Sequence, residues 1–216
     1  MMRMSEEAMI KRNTVMAPGM ISALEKRGYD AYFCATMEEL QRKVLELIPA
    51  GESVAWGGSL SLKEAGIPDL VRENGYKLLD RDAAKTPEER QALMRQALLC
   101  HTYLSSVNAM TEDGMMVNID GNCNRIAAIA FGPESVILIV GMNKICRDLP
   151  AARHRAQCFA APANGIRLGV ELPCTKTGFC RDCQAENSMC AQIVEMRRNR
   201  IPHRIKVLLT PFDLGL

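Results

Sequence analysis

Apolar positions recur along this chain with two different periods, and the alternation between them predicts the architecture. Between Thr36 and Gly51, Leu40, Val44, Leu47 and Ile48 fall on one helical face, with Thr36 as N-cap and Pro49 and Gly51 ending the run. Thr86-Pro87-Glu88-Glu89 is a second helix start, with a cap, a proline in the first turn and a glutamate three residues after the cap. That helix is predicted to run to Leu99. Further helices are predicted over residues 5–28, interrupted or kinked around Pro18-Gly19, and over 60–65, 68–74, 124–131 and 148–160. Short apolar runs predict strands at residues 30–34, 53–56, 76–79, 102–107, 135–140 and 204–209, with another at 115–119 after a turn at Asp113-Gly114.

Strand and helix alternate throughout, so the expected fold is α/β: an open, mainly parallel sheet with helices on both faces. There is no internal repeat. Composition breaks at Pro173, and the expectation is one domain over residues 1–216, with 173–200 as a cysteine-rich excursion. At 216 residues, 48% hydrophobic and 24% charged, the chain is long and apolar enough to bury a core without staples. A net charge of +2 gives no general attraction for nucleic acid or an anionic membrane. The basic run Arg197-Arg-Asn-Arg200 lacks aromatic interleaving and reads as a solvated end. No apolar run approaches the roughly 20 residues of a membrane span. The start, MMRMSEEAMIKRN, lacks the apolar stretch of a secretion signal, so a cytoplasmic protein is expected.

Two segments carry candidate chemistry. Gly57, Gly58, Ser59 and Ser61 follow a predicted parallel strand, where ligands of such sheets gather. Two glycines permit positive φ and close approach, and the serines with the amides of the next helix suit a phosphate or carboxylate. The alternative is a tight turn with a serine cap, and no phosphate-loop lysine is in register. Residues 108–125 then place Asn108, Thr111, Glu112, Asp113, Asn118, Asp120, Asn122, Asn124 and Arg125 within one stretch. Glu112 and Asp113 are candidates for acid–base or nucleophilic work, and Arg125 for a fork on a ligand anion. Turn chemistry explains Asp113 and Gly114 but not so many amides.

Nine cysteines are many for a chain expected in a reducing compartment. Cys34, Cys100, Cys123, Cys146 and Cys158 stand singly and read as small buried hydrophobes. Cys174, Cys180, Cys183 and Cys190 are clustered with a Cys-x-x-Cys pair, enough for a zinc site or an iron–sulfur cluster; reduced thiols or a redox-active pair are the alternatives. His101, His154 and His203 are isolated and are expected at helix ends or on the surface.

The blocks Val54-Ala-Trp-Gly-Gly-Ser59, Leu79-Asp-Arg-Asp82, Lys85-Thr-Pro-Glu-Glu-Arg90, residues 108–125, Pro162-Ala-Asn164 and Pro173-Cys-Thr-Lys-Thr-Gly178 together resemble the LUD-domain family, described as lactate utilization proteins. The likeness spans residues 20–214. It implies the fold shared by glucosamine-phosphate deaminases, ribose-phosphate isomerases and CoA transferases. It also implies a place in lactate or organic-acid metabolism, where some members work beside iron–sulfur partner subunits. Two other readings follow: a metal-carrying accessory subunit of a redox complex, and an enzyme of sugar phosphates or CoA thioesters. CoA transferases use a Glu before a Gly as nucleophile; here Asp113 separates Glu112 from Gly114.

Overall fold

The computed structural model describes residues 4–216; the first three, part of the stretch read for an export signal, lie outside it. Six parallel strands form the main sheet: β1 (Asp30–Phe33), β2 (Ser53–Trp56), β3 (Lys77–Leu79), β4 (Thr102–Ser105), β7 (Ser135–Gly141) and β10 (Ile205–Thr210). Their order is β1-β10-β7-β4-β2-β3. Strand β7 is buried along its whole length, with Val136, Leu138 and Val140 packing to one face and Ile137 and Ile139 to the other. Each such side chain contributes about 1.5–3 kcal/mol of burial.

Helices cover both faces. On one side α1 (Met4–Lys26) and α6 (Asn124–Ala130) supply Met20, Leu24 and Ile129. On the other, α2 (Met37–Leu47), α3 (Leu60–Glu64) and α4 (Ile67–Glu73) supply Leu40, Val44, Leu62 and Val71. Thr36 caps α2, and Thr86 caps α5 (Pro87–Gln96) by accepting from Glu89 N. Helix α1 continues through Pro18 rather than ending there. None of the described helices is long and apolar enough to cross a membrane.

A second, four-stranded sheet was not expected. It has the order β8-β5-β6-β9, from β5 (Ala109–Thr111), β6 (Met116–Asp120), β8 (Ile145–Cys146) and β9 (Gln192–Met196). Strand β5 follows β4 and β8 follows β7, so this sheet stands at the carboxyl end of the main one. The predicted strand over 102–107 therefore stops at Ser105, and the expected excursion returns as β9, paired antiparallel with β6. One face is covered by a long helix, α7 (Leu149–His154) running through a π-helical segment (Arg155–Ala160) into α8 (Ala161–Leu168), so the helix predicted to end at 160 continues. A short helix, α9 (Pro173–Thr177), opens the cysteine-rich stretch.

Candidate functional site

Strand β2 connects outward to β3, whereas the neighbouring β4 leads the other way, toward β7. The carboxyl ends of β2 and β4 thus flank the crevice where the strand order switches, the place where open α/β sheets bind ligands. A cavity of about 580 Å³ opens there. Gly58, Ser59 and Ser61 after β2, Asn108, Asp120, Asn122, Asn124 and Arg125 around β5 and β6, and Lys144 after β7 line it together. Two stretches far apart in the chain therefore meet at one concave surface.

The glycines serve a different purpose from the expected one. Neither Gly57 nor Gly58 has positive φ. A Cβ on Gly57 would lie 3.0 Å from Tyr103 Oη and 3.3 Å from Arg125 Cδ, and one on Gly58 would collide with the Arg81 guanidinium. The turn is glycine so that two arginines can pass against its backbone. Helix α3 is too short to carry much dipole, and Ser59 Oγ is occupied in capping it, accepting from Leu62 N. The positive charge beside this turn comes from cationic side chains, not from the helix.

Arg125 lines the cavity, but its terminal nitrogens already have acceptors. Nη1 donates to Asn118 Oδ1 (2.8 Å) and Ser106 O (3.2 Å), and Nη2 to Asn108 Oδ1 (3.0 Å) and Ile119 O (2.6 Å). It ties β4, β5 and β6 together. Asp120 is likewise engaged: Oδ1 accepts from Asn122 N and Cys123 N, and Oδ2 from Ile126 N, capping α6. Cys123 is half-buried at φ 64°, left-handed backbone held by these bonds.

Glu112 and Asp113 lie apart from the cavity. Both are exposed in the β5–β6 turn. Thr111 is buried there, its hydroxyl donating to Asp113 and accepting from Met115 N. That hydroxyl first, and the Arg27 guanidinium after it, hold the Asp113 carboxyl below its ordinary value. These residues build a turn, the reading that turn chemistry favours.

The charge of the cavity comes mainly from residues the sequence reading did not single out. Lys63, Arg81, Arg90, Arg125, Lys144 and Arg167 line it, against Asp82, Asp120 and Glu186. Asp82 approaches Arg90 at 3.3 Å and Arg81 at 3.8 Å. Arg81 Nε and Tyr103 Oη are buried without a hydrogen-bond partner among the described residues, and burial pushes the Tyr103 hydroxyl up to about 12. Buried polar atoms left unpaired are rare in folded proteins, and these two stand beside the glycine turn. The blocks Leu79-Asp-Arg-Asp82 and Lys85–Arg90 were the available signal.

The cysteine-rich stretch forms another wall, through Glu186, Asn187, Ser188 and Met189. Met189 packs on Gly121, 3.2 Å from where a Cβ would stand. Cys174, Cys180, Cys183 and Cys190 are half-buried. Burial first, and then Cys180, Cys174 and Cys183, push the Cys190 thiol up to about 11, so the four share one electrostatic neighbourhood. They do not converge as metal ligands do: among the described residues no three Cys, His, Asp or Glu side chains are grouped to hold an ion. Cys34 and Cys100 are buried as expected, whereas Cys146 is only half-buried and Cys158 is exposed, its thiol pushed up by what burial it has and by the nearby Cys180.

Among solved structures, a DUF162 family protein from Deinococcus radiodurans is similar at 12% identity and a TM-score of 0.55, covering 92% of this chain and 98% of that one. Ribose 5-phosphate isomerase A from Neisseria gonorrhoeae (18% identity, TM-score 0.33, 53% of this chain and 56% of that one) and eIF2B delta from Chaetomium thermophilum (15%, 0.33, 66% and 57%) match less of the fold. No curated protein matches the chain. The LUD domain matches residues 18–210, nearly the whole of the sequence and both walls of the cavity, and the chain belongs to the LUD-domain family.

Proposed function

We propose that this protein serves lactate or organic-acid metabolism by binding a small carboxylate- or phosphate-bearing ligand in the cavity beyond β2 and β4. The observation that carries the reading is the excess of cationic side chains lining it, five against three carboxylate side chains even with the buried Lys144 left out, in a chain with a net charge of only +2. Arg81 and Arg90 hold the anion, Ser59, Asn122 and Asn124 supply polar contacts, and Arg125 keeps the loops in register. Calorimetric titration with lactate, pyruvate and inorganic phosphate tests it. At least one should bind, with affinity falling as salt is raised. Arg81→Met should weaken binding about ten-fold, equivalent to ~1.4 kcal/mol. Failure of all three, and of sugar phosphates and CoA thioesters, refutes an anion site.

A second reading, an accessory subunit carrying zinc or an iron–sulfur cluster for redox partners, is favoured by the nearness of the four thiols. It requires the 174–190 stretch to close further than it does in this structure. Iron and zinc analysis of anaerobically purified protein decides it: stoichiometric metal supports the reading, and its absence removes it.

A further inference from the structure

Lys144 stands where β7 leaves the main sheet, in the single turn Met142–Lys144 that leads into β8. It is 3% exposed, and it belongs to the cavity wall together with Ser61 and Ser106. Nζ donates to Ser61 Oγ at 2.6 Å and to Ser106 Oγ at 3.0 Å. Both partners are neutral. Lys11, Lys43 and Lys176 each meet a carboxylate on the surface, whereas among the described residues Lys144 meets none at ion-pair distance. The charged groups facing it are Arg155 from the π-helical segment, Arg125 from α6 and Glu64 from α3, whose carboxylate already accepts from Gly215 N. Burial, followed by Arg155 and Arg125, lowers its pKa to about 7. An amine so placed is held substantially neutral, and a neutral lysine is a nucleophile toward carbonyl carbon.

We infer that Lys144 is a covalent-binding amine of this cavity, forming an imine with a small carbonyl compound that also carries an anionic group. Such compounds are 2-oxo acids and carbonyl-bearing phosphates. The inference rests on the anion-site reading, because Arg81 and Arg90 hold the ligand's charge while its carbonyl meets Nζ. The Nζ lone pair attacks the carbonyl carbon, a C–N bond forms and the π pair moves to oxygen. The carbinolamine then loses that oxygen as water, which carries away both amine protons, and a C=N bond remains. No electrons are gained or lost overall. The Ser106 hydroxyl, in contact with Nζ, passes the protons between nitrogen and oxygen, while the Ser61 hydroxyl, which donates to Leu214 O, positions the amine.

The test uses the full chain, incubated with pyruvate or glyceraldehyde 3-phosphate and sodium cyanoborohydride, then digested for peptide mass mapping. Binding of both compounds and of inorganic phosphate is measured in parallel by calorimetry. The expected result is one reduced adduct on the peptide holding Lys144, formed faster as pH is raised through about 7 and lost in Lys144→Arg. The wild-type peptide map assigns the residue whether or not that variant folds, and the arm that labels distinguishes the oxo acid from the phosphate. Anion binding without an adduct, or an adduct on another lysine, overturns the imine and leaves the anion site standing. If neither the two carbonyl compounds nor phosphate binds and no adduct forms, the anion site falls and the imine falls with it.

Discussion

Arg125 shows how a residue chosen for ligand chemistry can be one that builds the site. Its fork holds two asparagine side chains, Asn118 buried and Asn108 half-buried, and the backbone carbonyls of the buried Ser106 and Ile119. Arg125→Met strips Asn118 Oδ1 of its Arg125 donor and leaves Asn108 Oδ1 with Ile119 N alone and Ser106 O with Ser105 Oγ alone, and should destabilise the protein by about 2–3 kcal/mol, read as a lower urea midpoint. Arg125→Lys should recover only part of that, because one ammonium cannot match a planar fork. Glu112→Gln marks the opposite case. An exposed turn residue outside the cavity should change stability by less than about 0.5 kcal/mol and leave anion affinity unaltered. A marked loss of affinity in Glu112→Gln would place the ligand somewhere other than the cavity. Gly58→Ala separates packing from binding: the added methyl displaces the mobile end of Arg81, so folding should survive while anion affinity drops several-fold.

Among the elements, α6 depends on a residue from the strand before it. Asp120, the last residue of β6, accepts three backbone N–H bonds across the turn into that helix. Asp120→Ala should cost about 1–2 kcal/mol in thermal or urea unfolding, and should weaken anion binding by freeing the Asn122–Asn124 turn. The main sheet was legible because its strands are buried on both faces and read as unbroken apolar runs. The second sheet was not. Strand β5 has three residues, hidden between Asn108 and the Asp113–Gly114 turn, and β8 has two, too few for any period to show. Strand β9 mixes exposed and half-buried positions without strict alternation, and its identity comes from pairing with β6, which lies far upstream. Local pattern carries no record of that partner.

At the level of the whole molecule, the site was legible only where polar residues cluster in sequence. Gly58 to Ser61 and Asn108 to Arg125 stand out as stretches, whereas Lys144 follows an apolar strand with nothing around it to signal a ligand. Its character comes from the burial and the arginines that the fold brings to it. That same placement couples the site to global stability. The ordinary lysine value of 10.5 falls to about 7 in the folded chain. Between about pH 7 and 10.5 the unfolded chain therefore binds a proton here that the folded chain does not, so stability rises with pH through that window. The full cost of a buried ammonium is borne below it. Lys144→Met removes the titrating group while filling similar volume. Urea unfolding of wild type and variant at about pH 6 and about pH 9.5 should show the wild type gaining more stability at the higher pH. Other groups titrate in both proteins and cancel in the comparison. Equal pH dependence in the two would mean that Lys144 keeps its ordinary affinity for a proton, and the neutral amine at the end of β7 would be lost with it.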